Sequence, residues 1–349
     1  MRENKVIYGL IGYGGMGRWH TEILSNVPEI EIGGIYDIKE EKRIEAKEKG
    51  FSVYGSEEEM LSDPDIDVVL IATPNDCHKP IAIRAMHAGK NVISEKPVTL
   101  SSSDLQEMVN VAKETGKFLT VHQNRRWDDD FLIIRKLVEE QKLGHVFRIE
   151  SRVHGSRGIP GDWRKEKIHG GGMVLDWGVH LLDQILYLYG DRKIETVYVS
   201  LTHINNQEVD DGFTTILTFE GGTEVLVEVG TNNYISLPRW YVLGEDGTAV
   251  IRDWQLNGEI IRKTGITEEK VVPVKTAAGL TKTMAPRRED TIVKEELPHV
   301  SGDIADFHRN VAAVIRDGAE PEIVQRFCPA TYTRALPIPH FLITFFGKV

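Results

Sequence analysis

The stretch Val6-Ile7-Tyr8-Gly9-Leu10-Ile11-Gly12-Tyr13-Gly14-Gly15-Met16-Gly17 decides how the first third of the chain is read. Its apolar run reads as a strand, and the glycines after it match G-x-G-x-x-G ahead of a helical pattern. Gly12 permits the tight turn, Gly14 lets backbone approach a pyrophosphate, and Gly17 lets the helix pack on the strand. Gly15 and Met16 complete the loop, and the helix start offers unpaired N–H groups to phosphate. A plain glycine turn is the competing reading, and the surrounding pattern decides between them.

Working outward, Ile30 to Asp37, Val68 to Thr73, Asn91 to Glu95 and Phe118 to His122 are further short apolar runs. Segments rich in Glu, Lys and Ala separate them, and two of these, Glu40 to Gly50 and Ser102 to Gly116, close at a glycine as a helix C-cap does. Strands alternating with helices predict an α/β, Rossmann-like, doubly wound parallel sheet over residues 1–122. Asp37 lies 20 residues after Gly17, where a carboxylate accepts hydrogen bonds from ribose hydroxyls and repels a 2′-phosphate. NAD is therefore favoured over NADP. Lys39, Lys42 and Arg43 follow closely and keep NADP open, and a helix cap is a further reading of Asp37. Thr73-Pro74-Asn75 with His78, and Glu95-Lys96-Pro97, stand at carboxyl ends of parallel strands, where such sheets bind ligands. They join the candidate cofactor-binding set. Pro97 biases Lys96 towards an extended conformation and leaves a cis bond open, while a surface lysine lying along apolar surface is an equal reading from spacing alone.

Residues 123–349 read differently: a helix near Asp130 to Leu143, a strand around Val146 to Val153, and a glycine-rich approach to a helix at Val174 to Tyr189. Ile194 to His203, Phe213 to Phe219, Glu224 to Gly230 and Trp240 to Leu243 then follow as β-branched and aromatic runs between glycine turns. An α+β domain with a large, mainly antiparallel open sheet is expected. Apolar alternation on both sheet faces points to cover by a second subunit, giving a homodimer or homotetramer. Ile266 to Pro298 has no clear period and is expected to be a surface excursion, and prolines break the tail after about Gln325.

The whole chain has 349 residues, 41% hydrophobic and 27% charged, with a net charge of -11, which suits a globular protein and disfavours phosphate backbones and anionic lipid. No nucleic-acid or membrane partner is expected. Two cysteines fit neither a disulfide framework nor a metal site and suit a reducing compartment, so a soluble cytoplasmic protein is the expectation.

Gly170-Gly171-Gly172 precedes a helix whose apolar stripe is Leu175, Val179, Leu182 and Leu186, with Asp176 and His180 four residues apart on the neighbouring face. A carboxylate beside an imidazole is an acid/base pair. At this spacing a structural hydrogen bond or a cap is the more frequent outcome, and no third ligand is spaced to join them on a metal.

Taken together, the glycine loop, Ala72-Thr73-Pro74-Asn75, Glu95-Lys96-Pro97, Asn124-Arg125-Arg126-Trp127-Asp128 and the glycines leading to Asp176 and His180 resemble the Gfo/Idh/MocA family. The similarity runs from about residue 5 to 320. Within it, Asn124 to Asp128, Trp163-Arg164 and Asp183-Gln184 resemble the scyllo-inositol dehydrogenase branch. The resemblance implies a Rossmann domain joined to an α+β domain with a small-molecule polyol or sugar held between them. It raises Lys96, Asp176 and His180 to the expected catalytic set and suggests Asn124, Arg126, Trp163 and Arg164 for substrate hydroxyls. Relatives usually finish with a helix, from which this tail departs. An NAD-linked dehydrogenase is the first expectation. A silent dinucleotide or sugar sensor and an NAD-dependent glycosidase, both resembling the family, are the alternatives.

Overall fold

The computed structural model describes residues 4–190, 192–267 and 271–323, so the tail after about Gln325 lies outside the described residues. In the first domain, β1 (Val6–Ile11), β2 (Ile30–Tyr36), β3 (Val68–Ile71), β4 (Asn91–Ser94) and β5 (Leu119–Val121) form a parallel sheet in the order β2-β1-β3-β4-β5. Side-chain alternation explains why β1 is central. Ile7 and Ile11 enter one apolar cluster with Met60, Ala85 and Leu105, while Val6, Tyr8 and Leu10 enter the other with Leu24, Ile35 and Ala46. Helices α1 (Gly15–Leu24), α2 (Glu40–Glu48), α3 (Glu57–Ser62), α4 (His78–His87) and α5 (Ser102–Thr115) cover the faces. Ser101 caps α5 by accepting from Asp104 N at 3.2 Å, and Gly116 ends it at φ 65°.

The second domain begins with α6 (Asp129–Glu139) and β6 (Val146–His154), followed by a five-residue π-helical turn, Val174–Gly178, and α7 (Val179–Tyr189). Its sheet adds β7 (Ile194–Thr202), β8 (Gly212–Phe219), β9 (Glu224–Gly230), β10 (Trp240–Gly244), β11 (Gly247–Ile251) and β12 (Gly258–Lys263). A small hairpin, β13 (Val274–Thr276) and β14 (Gly279–Thr281), precedes β15 (Ile292–Glu295), and the order across the eight-stranded sheet is β15-β12-β11-β10-β6-β9-β8-β7. Every pair is antiparallel except β6 with β9 at the centre. The inner face packs Phe213, Leu217, Val225 and Val227 on α6 and α7 residues such as Phe131 and Ile185. Each such burial contributes about 1.5–3 kcal/mol. Fully buried Trp240 donates Nε1–H to Asp130 Oδ2 at 3.0 Å, and the same carboxylate pairs with Arg239.

Three expectations change. The excursion Ile266 to Pro298 contains an edge strand, β15, whose four residues are too few for their alternation to stand out in sequence. The outer sheet face is mixed rather than apolar: Ile216 and Leu226 lie beside an ion-pair ladder in which Glu150 and Glu228 hold Arg152. The helix stripe also shifts, because the π turn inserts a residue ahead of α7. Val179 and Leu182 are buried as expected, Val174, Leu181 and Ile185 are buried beside them, and Leu175 and Leu186 are only half-buried.

The two sheets part near residue 122, but the chain returns. Helix α8 (Ala305–Asp317) places Phe307, Val311 and Ala312 in the cluster around Val6, Tyr8 and Leu10. Thr120 Oγ1 donates to the Ile323 carbonyl at 2.9 Å.

Candidate functional site

The glycine loop is shaped by close approach on one side and open space on the other. Gly12 has φ +99°, and a Cβ there would lie 2.5 Å from the Ala72 carbonyl oxygen; one on Gly17 would lie 2.1 Å from the Gly12 oxygen. At Gly14 and Gly15 a Cβ would meet nothing within 4 Å, and no side chain caps α1. Free N–H groups facing open space at a helix start fit a dinucleotide's diphosphate, with Met16 half-buried beside them. Asp37, just past β2, is fixed by two backbone donors, accepting from Tyr13 N at 2.7 Å and from Lys39 N at 2.9 Å. Lys42 pairs with Glu45, which also takes Arg18, while Arg43 donates to the Asp37 and Ile38 carbonyls.

The strand-end residues divide into exposed and inward groups. Thr73, Pro74 and Lys96 keep accessible surface, whereas Asn75, His78, Glu95 and Pro97 are buried. Asn75 Nδ2 donates to the Gly170 carbonyl at 3.0 Å, tying the two domains together. His78 sits between the Pro97 and Thr73 carbonyls at 2.8 and 3.0 Å, and burial pushes its pKa down. Glu95 faces the core: its Oε1 accepts from His20 and His122 at 2.8 and 2.9 Å, and its Oε2 accepts the Lys96 N–H at 3.1 Å. Burial would raise the Glu95 carboxyl, but the two imidazoles outweigh it and hold it well below the usual carboxylate range. The Lys96–Pro97 peptide is cis.

Lys96 reaches into the second domain. Its Nζ donates to the Asp176 carbonyl at 3.0 Å and lies 3.3 Å from Asp176 Oδ1, which Arg164 Nε approaches at 3.2 Å. The Arg164 guanidinium stands 4.6 Å from the centre of the Trp163 ring. Burial would raise the Asp176 carboxyl, yet the Lys96 and Arg164 charges hold it low. The carboxylate is therefore engaged by two cations rather than by the imidazole four residues on. His180 is buried, with Nδ1 free of any hydrogen-bond partner and the Trp177 ring 6.0 Å away. Burial, reinforced by the charges of Lys96 and Arg125, pushes its pKa well below the usual imidazole value. A buried, neutral imidazole beside a cation is suited to accept a proton.

The glycine triplet makes this approach sterically feasible. A Cβ on Gly170 would lie 2.3 Å from Leu100 Cδ2, one on Gly171 2.3 Å from the Arg164 carbonyl oxygen, and one on Gly172 2.3 Å from Asp210 Oδ1. Asp210, which the sequence did not mark, caps the π turn by accepting from Val174 N at 2.9 Å. A cleft of about 390 Å³ opens beside Asp176 and Trp177, walled also by His154, Arg157, Met173 and Thr231.

Arg126, expected at substrate, instead forms a two-pronged ion pair with buried Asp183, both contacts 2.6 Å. Asn124 leaves a buried Oδ1 without a partner. Its neighbour Arg125, part of the segment that carries the resemblance but not assigned to the site, lies 4.1 Å over the Trp177 ring.

Comparison with known proteins covers both halves. Residues 6–123 match the oxidoreductase family model for an NAD-binding Rossmann fold, and residues 131–250 match the GFO/IDH/MocA C-terminal domain. Oxidoreductase YdgJ of Escherichia coli is 37% identical over 210 residues, 60% of each chain, so the match spans less than two thirds of that relative. The scyllo-inositol 2-dehydrogenase (NADP(+)) IolW of Bacillus subtilis is 28% identical over 313 residues, 89% of this chain and 86% of its own. The crystal structure of an NAD-binding protein from Listeria innocua is 49% identical, with a TM-score of 0.89 over 92% of both chains. Among the described residues no helix is long and apolar enough to cross a membrane.

Proposed function

Because the chain belongs to the Gfo/Idh/MocA oxidoreductase family, we propose that it is an NAD-dependent dehydrogenase oxidising a secondary hydroxyl of an inositol-like polyol or sugar. The observation that carries this reading is Lys96 of the first domain meeting Asp176 of the second at 3.0 and 3.3 Å, one helical step before neutral, buried His180. The glycine loop and the Lys96 end of β4 would hold the dinucleotide, which would supply the hydride acceptor. His180 takes the hydroxyl proton. Lys96 donates a hydrogen bond to the oxygen as it gains negative charge. Asp176 holds Lys96 and Arg164 in place from one carboxylate, and Trp163 and Asn124 stand ready for other hydroxyls.

For the cofactor, an Asp37 carboxylate pinned by two N–H groups cannot swing away from a 2′-phosphate, which supports NAD. The IolW relative carries NADP(+) in its name, so the choice is this chain's own. We further propose that copies associate through the outer face of the large sheet, where Tyr198 and Phe147 are exposed beside the ion-pair ladder. Its cysteine content favours a cytoplasmic setting. A panel of inositol isomers and aldoses with NAD tests the activity: NADH formation from at least one member is expected, and its absence from all, with NAD bound, would overturn the reading.

A further inference from the structure

Behind the strand ends, three histidines from distant parts of the chain converge. His20 comes from α1, His122 follows β5, and His308 comes from α8, and each is fully buried. Ring centres of His20 and His122 lie 4.6 Å apart, those of His122 and His308 5.5 Å, and those of His20 and His308 5.7 Å. One ring nitrogen from each lies within 4.8 Å of one from the other two. Phe307 and Tyr8 close the surroundings with apolar ring surface.

The hydrogen-bond inventory of this cluster does not close with protein atoms. Glu95 Oε1 takes one N–H from His20, at Nε2, and one from His122, at Nδ1. That leaves the second ring nitrogens, His20 Nδ1 and His122 Nε2, each able to offer a lone pair when its ring is neutral. Neither has a partner, and both nitrogens of His308 are also unpartnered. Buried unmatched polar atoms are costly, so four in one cluster call for an occupant.

We propose that His20, His122 and His308 bind one divalent transition-metal ion of borderline softness, zinc being the best fit, with Glu95 as the outer carboxylate that orients two of the ligands. Imidazole nitrogens suit this class of ion. A carboxylate accepting the second N–H of a ligating histidine is the usual outer arrangement around such ions, fixing the tautomer and making the ligand more basic. A bridging water offers hydrogen bonds to the same atoms, but it leaves Glu95's two-histidine grip without a purpose beyond packing. Tetrahedral coordination at 2.0–2.1 Å needs nitrogens roughly 3.4 Å apart, so the rings close inward on binding. The ion would clip α8 onto the first domain, joining a late segment of the chain to α1 and β5. Since the pocket is sealed, loading is expected during folding or through opening of α8. This site is independent of the dehydrogenase reading.

The test is metal content and X-ray absorption of the full chain purified without chelators from zinc-supplemented cells. About one zinc per chain is expected, with scattering from three imidazoles, and His308→Phe should lose it while the exposed-site variant His299→Ala keeps it. If His308→Phe does not fold, the wild-type spectrum decides alone. Less than about a tenth of a zinc per chain, with no tetrahedral spectrum when the unfolded chain is refolded with cobalt, would overturn the proposal and leave water as the occupant. So would bound zinc coordinated mainly by oxygen.

Discussion

At the scale of single residues, the sequence positioned the candidate side chains but not every partner. Asp37 and Lys96 stand where the strand ends placed them, because a motif fixes backbone position and β-strand ends are legible from apolar runs. The directions of Glu95 and Arg126 were not legible. Each is claimed by a group far off in sequence, His20 and His122 for the one and Asp183 for the other. Asp37→Ser removes a fixed negative charge, held by the Tyr13 and Lys39 N–H groups, from the place proposed for the ribose. The ratio of NADP to NAD affinity is expected to rise at least tenfold by calorimetry; tighter NADP binding by the unmodified chain would contradict the assignment. Asp183→Asn leaves the half-buried Arg126 guanidinium without its charged partner, which is expected to lower stability. A denaturation midpoint unchanged in that variant would show that the pair carries little.

At the scale of elements, the two hydrophobic periods did most of the reading. Alternating clusters on β1 and the Gly50 and Gly116 helix ends, at φ 90° and 65°, follow directly from residue type. Two features escaped for physical reasons. A π turn leaves no compositional mark, so the stripe held at Val179 and Leu182 but missed Val174 and Ile185. A strand of four residues, β15, is defined by its partner β12 rather than by its own pattern. The glycines before the π turn carry a sharper expectation. Gly172→Ala would force a methyl against Asp210 at φ +102°, disturbing the cap on the turn that bears Asp176. Turnover should fall at least tenfold with dinucleotide affinity preserved, as titration of NAD would show. Unaltered turnover would mean that the loop accommodates the methyl without moving Asp176.

At the scale of the whole molecule, buried neutral histidines make stability depend on pH. His20, His78, His180 and His308 all have pKa values pushed down by burial. The unfolded chain, with imidazoles near 6.5, therefore binds more protons than the folded one below that pH. Their contribution is fully present above about pH 6.5 and is lost as pH falls towards the folded values, by up to about 1.4 kcal/mol per unit for each residue. Denaturant midpoints at pH 7.5 and 5.5 should differ accordingly, and equal midpoints would contradict the neutral assignment. Association through the sheet is checked by light scattering, which should exceed the 39.4 kDa of one chain at micromolar concentration; a monomer would refute it.

The site itself is a whole-molecule property, since Lys96 and Asp176 meet only because two domains close on Gly170. The most direct test compares the wild type with His180→Ala on a polyol that yields NADH, following kcat and kcat/KM against pH. Oxidation by the wild type should lose rate as pH falls through the His180 pKa, at an acid limb well below 6.5. His180→Ala should lose about two to four decades of turnover and that limb while keeping its affinity for NAD. Near-full activity in His180→Ala with the same acid limb would contradict the account.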